Sequence, residues 1–158
     1  MTFAEFISAI GLCFGLAGFV LGVLNYLRDR HKIGITLQWD LTITPSAGYD
    51  HTKKWGVVRV TNAGRRPAHV SHVALKIPEG YGHSHLLILD GLTGKKLSEG
   101  DPPEVIMLTQ DGMEKYAKDW RDLVAQVNDG AGKTWCSKRL KANQMPSWAE
   151  QATETVST

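Results

Sequence analysis

The sequence predicts an N-terminal transmembrane α-helix followed by a mainly-β domain, an immunoglobulin-like antiparallel β-sandwich with one short helix. Three observations carry this expectation. Phe6 to Leu27 holds twenty-two residues without one charged side chain. Ile33 to Ile43 alternates apolar and polar residues without a break. From there to residue 140, about seven short strand signals recur between turn residues, the spacing of a sandwich of roughly 100 residues. A partly open barrel is the alternative, since strand counts alone do not separate the two.

The apolar run comes first. At ~1.5 Å rise per residue it reaches about 33 Å, enough to cross a hydrocarbon core of about 30 Å. A helix buried in a soluble domain rarely stays apolar on every face for this length. Glu5 closes the run on one side and Arg28-Asp29-Arg30-His31-Lys32 on the other. No Lys or Arg precedes it and no small-x-small site ends it, so a cleaved signal peptide is not expected. The basic cluster behind the run marks the cytoplasmic side. The expected topology is a single-pass protein of the inner (cytoplasmic) membrane, N-terminus outside and β-domain cytoplasmic. Residues 1–32 are then the anchor and basic stop, 33–140 the β-domain, and 141–158 a polar tail without order.

Within the run, Ala4, Ser8, Gly11, Gly15, Gly18, Gly22 and Asn25 fall 4-3-4-3-4-3 apart. In lipid no hydrophobic force draws helices together, so association depends on close backbone packing, which small residues permit. Ser8, Gly11, Gly15, Gly18, Gly22 and Asn25 are therefore the expected helix–helix contact of a homo-oligomer, with Asn25 able to hydrogen-bond across it.

The period then changes. Ile33, Ile35, Leu37, Trp39, Leu41 and Ile43 form one face of a half-buried strand, ended by Pro45-Ser46-Ala47-Gly48. Trp55 to Thr61 is the second strand, with Val58 and Val60 inward and Arg59 outward. Asn62-Ala63-Gly64 turns the chain ahead of Pro67. In the third strand, Ala68 to Ile77, the apolar parity slips: Ala68 and Val70 lie on one phase, Val73, Leu75 and Ile77 on the other. A bulge near Ser71-His72, or a strand that swaps between two sheets, would reconcile them. Leu86 to Leu89 is a short strand, Asp90-Gly91 a turn, and Glu104 to Leu108 another strand. Asp111 and Glu114 have capping-box spacing, ahead of a helical face of Met113, Tyr116, Ala117 and Trp120. Leu123, Ala125 and Val127 pair as a hairpin with Thr134 to Arg139 across Asn128-Asp129-Gly130-Ala131-Gly132.

Composition excludes several functions. The 158 residues carry a net charge of +2, too small to point to nucleic acid. Cys13 and Cys136 lie in different parts of the chain and no Cys-x-x-Cys occurs, as a reducing compartment permits. His69-x-x-His72 and His83-x-His85 lack a carboxylate or second thiol at ligand spacing, and i and i+3 on a strand face opposite ways. No metal and no cofactor is expected. Asp129-Gly130-Ala131-Gly132-Lys133-Thr134 resembles the end of a phosphate-binding loop, but Val127 stands where its first Gly belongs and a strand follows. No nucleophile elbow or Cys/His dyad is visible, so no catalytic residue is named and no enzyme is expected. Arg65 and Arg66, after a tight turn, form a possible ligand loop.

One resemblance adds to this reading. The single span with its basic stop is followed by Val57-Val58-Arg59-Val60-Thr61-Asn62-Ala63-Gly64-Arg65-Arg66-Pro67-Ala68. Later comes Gln126-Val127-Asn128-Asp129-Gly130-Ala131-Gly132-Lys133-Thr134-Trp135. The succession, over roughly residues 6 to 139, resembles uncharacterised bacterial single-span membrane proteins with a C-terminal cytoplasmic β-sandwich domain. The resemblance implies that architecture and no activity. The expected function is a membrane-anchored, non-enzymatic module that self-associates through its helix and binds an unknown protein or small molecule. The alternative is a membrane-acting effector or sensor whose β-domain binds a ligand and rearranges the helices. A metal-dependent enzyme built on the histidines ranks third.

Overall fold

The computed structural model describes residues 2–30, 32–45, 50–89 and 92–156. The basic-cluster residue His31, most of the expected turn at Pro45–Gly48 and the expected Asp90-Gly91 turn lie outside them.

The apolar run forms α1, Phe3–Arg28, starting three residues before the uncharged stretch. Glu5 is inside this helix rather than before it. Thr2 Oγ1 accepts from Glu5 N at 3.4 Å while Glu5 Oε2 accepts from Thr2 N at 2.8 Å, a reciprocal cap that satisfies two otherwise orphaned donors. At ~1.5 Å per residue the 26 residues reach about 39 Å. The apolar stretch is exposed along its whole length, Phe6, Leu12, Phe14, Leu16 and Phe19 among its bare side chains. A helix serving as this domain's own core would be buried, and this one is not.

Eight strands follow: β1 Ile33–Thr42, β2 Lys54–Asn62, β3 Ala68–Lys76, β4 His85–Ile88, β5 Lys96–Leu97, β6 Glu104–Thr109, β7 Val124–Asp129 and β8 Thr134–Cys136. All pairings are antiparallel. One sheet runs β1-β2-β6; the other runs β4-β3-β7-β8, with β5 paired to the start of β3. Ile33, Ile35, Leu37 and Trp39 from the alternating strand bury their side chains, as do Val58 and Val60. They join Val70, Val73, Leu75, Ala125 and Val127 of the second sheet in one hydrophobic cluster, so the two sheets share a core. The parity slip in β3 is a bulge: its register on β7 shifts between Val70 and His72. A second register shift in β1, between Gln38 and Leu41, sets Trp39 and Asp40 against Gly56. Only a glycine fits there, because a Cβ at position 56 would strike the Trp39 ring.

Two expectations are corrected. The helix after β6 exists, but as a 3-10 helix, Glu114–Asp122, without the Asp111 cap. Its expected face is right: Met113, Tyr116 and Trp120 are buried. Asp111 is instead engaged by Lys53, whose Nζ lies 2.8 Å from Oδ2. The supposed disordered tail is ordered as far as residue 156. Ala142–Gln144 is a 3-10 turn and Ser147–Val156 is α2. Pro146, Trp148 and Ala149 are buried, and the Trp148 ring meets Trp39 edge to face at 5.7 Å. The β-domain therefore extends past residue 140. Burial of one indole, not local polarity, decides the fate of this segment.

Candidate functional site

Three features of the fold are open to function: the small-residue face of α1, the junction between α1 and the β-domain, and a cleft between the sheets. The face is bare. A Cβ built on Gly11, Gly15, Gly18 or Gly22 would meet no atom within 4 Å, and Ser8 and Asn25 are exposed. These six residues line up on the helix, and no contact among the described residues accounts for them.

The junction is where the predicted ligand loop lies. Arg66 donates from both Nε and Nη2 to Asp29 Oδ2, at 3.2 and 3.0 Å. Arg65 Nε stands 3.9 Å from Glu99 Oε1. Arg66 thus holds the end of α1, and both arginines face carboxylates of the same chain. The β2–β3 turn also grips the backbone beyond the helix: Ala63 N donates to Lys32 O at 2.7 Å. Gly64 is buried against that segment, where a Cβ would fall 2.7 Å from Lys32 N and still nearer Arg30 O. Asn62 fixes the turn, accepting from Gly64 N and donating to Arg66 O and Leu97 O. An exposed ion pair alone contributes little, about 1 kcal/mol or less. Here it is accompanied by a backbone hydrogen bond and a close backbone approach.

The β7–β8 hairpin stands beside this junction. Its Gly-rich turn is not an anion cradle, because Asp129 occupies it: Oδ1 accepts from Ala131 N at 3.0 Å and Lys133 N at 2.8 Å, and Oδ2 accepts from Trp135 Nε1 at 3.0 Å. The backbone donors that would hold a phosphate are taken by the chain's own carboxylate.

The cleft is the larger feature. Edge strands β4 and β6 flank an opening of about 560 Å³, lined among others by Trp39, Leu86, Ile88, Met107 and Leu108. Leu87 and Leu89 on one lip are exposed. Asp111 sits at its margin, its carboxyl held below the usual range first by the hydrogen bond from Lys53. Sequence reasoning missed the cleft, and its strand pattern holds no signal of how far two edges stand apart.

A polar aromatic cluster lies elsewhere. The His83 ring is 2.6 Å, through Nε2, from the hydroxyl of buried Tyr116, and Tyr81 packs against Tyr116 at 4.9 Å between ring centres. Tyr81 donates to Asp119 at 2.9 Å, and burial, followed by that hydrogen bond, pushes its phenol above the ordinary value. His85 meets Gln126 and Ser84 instead, so His83 and His85 do not share a partner. Among the described residues no three His, Cys, Asp or Glu side chains gather as a metal site would need. Cys13 and Cys136 are exposed free thiols.

Comparison with known proteins adds no functional assignment. No family model matches the chain, and no curated protein matches it.

Proposed function

We infer that this chain is a single-span protein of the cytoplasmic membrane that self-associates through α1 and displays a non-enzymatic binding module at the cytoplasmic face. The bare glycine face is the observation that carries this reading: an apolar stretch with nothing packed on it among the described residues, and a row of small residues where a second helix would pack. Arg28, Arg30 and Lys32 behind the span favour a cytoplasmic β-domain. The resemblance to uncharacterised bacterial single-span proteins points the same way.

The β-domain is best read as an immunoglobulin-like sandwich. Its orders β1-β2-β6 and β4-β3-β7-β8, with the two-residue β5 set aside, support this reading, since a Greek key whose third and fourth strands stay in one sheet would run that way. Its ligand, a protein segment or an apolar small molecule, would occupy the cleft between β4 and β6.

The test is a membrane association reporter on the full chain. Gly15→Ile with Gly18→Ile should abolish association by parting the backbones. Leu12→Ile with Leu16→Ile should leave it nearly intact. Equal association in both pairs would remove self-association from the reading. A reporter active only outside the cytoplasm, fused behind the last residue, should stay silent, and activity would reverse the topology.

The sensor reading has one observation in its favour. The grip of the β2–β3 turn on Asp29 and Lys32 gives a route by which ligand-driven movement would reach α1. Toxicity on overexpression that vanishes with the span removed would favour it over the passive module.

A further inference from the structure

We propose that the junction is a binding site for one anionic phospholipid headgroup, held by Arg30, Arg66 and Lys133 beside Tyr26. The proposal rests on the membrane reading above. Three cations from separate segments, the end of α1, the β2–β3 turn and the β7–β8 hairpin, line a single cavity of about 230 Å³ together with Tyr26, Asp29 and Asp129. Its charge does not cancel internally. Asp29 answers Arg66, and Asp129 is engaged by the hairpin's own donors. Arg30 lies over the Tyr26 ring at 5.3 Å and Lys133 over the Trp135 ring at 4.0 Å. A ring face attracts a cation but offers no oxygen acceptor. Among the described residues, then, the side-chain N–H donors of Arg30 and Lys133 meet no anion.

The position fixes which anion. Tyr26 stands one residue before the apolar run ends, and tyrosine is favoured where hydrocarbon gives way to headgroups. A cavity containing Tyr26 therefore opens at the level of lipid phosphates. Basic pockets at that depth on the cytoplasmic side suit anionic headgroups. A stretch of basic residues after a span attracts such lipids diffusely. Lys133, contributed by a distant hairpin, turns that attraction into a site with one occupant.

The full chain, reconstituted in phosphatidylcholine nanodiscs with graded phosphatidylglycerol, tests this. After mild detergent extraction, native mass spectrometry should find one phosphatidylglycerol retained per chain. Arg30→Gln and Lys133→Gln should each weaken retention about fivefold. Arg28→Gln should leave it unchanged, because Arg28 belongs to the basic stretch but not to the cavity. All three side chains are exposed, and an unchanged unfolding midpoint confirms that the variants are folded. Equal loss in the Arg28 variant would reduce the site to diffuse attraction and overturn it. Saturable binding of inorganic phosphate without lipid retention would overturn the choice of a lipid. A chain that enters nanodiscs but keeps no phosphatidylglycerol overturns this inference alone, whereas one that does not enter them overturns the membrane reading as well.

Discussion

Asp40 caps a helix 107 residues further along the chain: its Oδ2 accepts from Ser147 N at 2.7 Å and its Oδ1 from Ser147 Oγ at 2.5 Å. The bulge in β1 makes this possible. It places Asp40 at φ +62°, a left-handed conformation that aspartate tolerates better than most residues, and aims its carboxylate at the start of α2. A negative side chain at a helix N-terminus meets both unpaired N–H groups and the positive end of the dipole. Strand β1 and helix α2 are thus joined twice, by this cap and by the Trp39–Trp148 contact.

Removing the cap should be measurable. Asp40→Ala is expected to lower stability by about 1–2 kcal/mol in urea unfolding, the usual cost of a lost helix cap. Asp40→Asn keeps one acceptor oxygen and should lose less. Equal loss in the two variants would show that the charge, not the hydrogen bond, matters.

Trp148 is expected to be the larger contributor. It is 3% exposed, and truncating a buried tryptophan to alanine costs about 3–5 kcal/mol. Trp148→Ala, or a chain ended at residue 145, should therefore unfold at markedly lower urea concentration. An unchanged midpoint would return the segment after residue 140 to the status of a tail.

These two residues also mark where the sequence stops being legible. Strand β1 could be read because its burial has period two and the residues say so. The β3 bulge could be read because Val70 and Val73 cannot share a face of an unbroken strand. Helix α2 could not, since seven of its ten residues are Ala, Thr, Glu or Gln, and its cap lies in a strand 107 residues away. The same spacing misled at Asp111 and Glu114 and was overlooked at Thr2 and Glu5. Lys53 claims Asp111 from 58 residues off, while Thr2 has no competitor among the described residues. Arg65 and Arg66 read as a loop awaiting a ligand because nothing local announces Asp29 or Glu99. The glycine face was legible because it is a property of one helix. The cleft was not, because it is a property of two edges.

Stability should fall at high pH through Tyr81. Burial, then the hydrogen bond to Asp119, raises its phenol above the unfolded value of about 10. The folded chain then holds this proton more tightly than the unfolded one. Its contribution is complete below pH ~10 and is lost as pH rises through the folded value. Tyr81→Phe should give a thermal midpoint that declines less as the pH rises above ~10. Identical alkaline profiles would assign the loss to other groups.

The junction should loosen before the domain does. At Gly64 an added methyl meets backbone, Arg30 O and Lys32 N, and backbone cannot swing aside as a side chain can. Gly64→Ala must therefore displace Arg30 and Lys32, breaking the Ala63 N–Lys32 O hydrogen bond and the Arg66–Asp29 pair that depends on the same approach. Such overpacking costs about 1–3 kcal/mol. That cost falls on the contact between turn and linker, while the shared core of the two sheets is untouched. Trypsin acting on the full chain in detergent should cut at Arg28, Arg30 or Lys32 about tenfold faster in Gly64→Ala than in the parent, reflecting easier local opening. The urea midpoint of the β-domain should shift little. Arg66→Ala, which removes only an exposed pair, should speed cleavage far less. If Gly64→Ala cleaves at the parent rate, the turn does not hold the linker, and no movement of the β-domain could pass to α1 by this route.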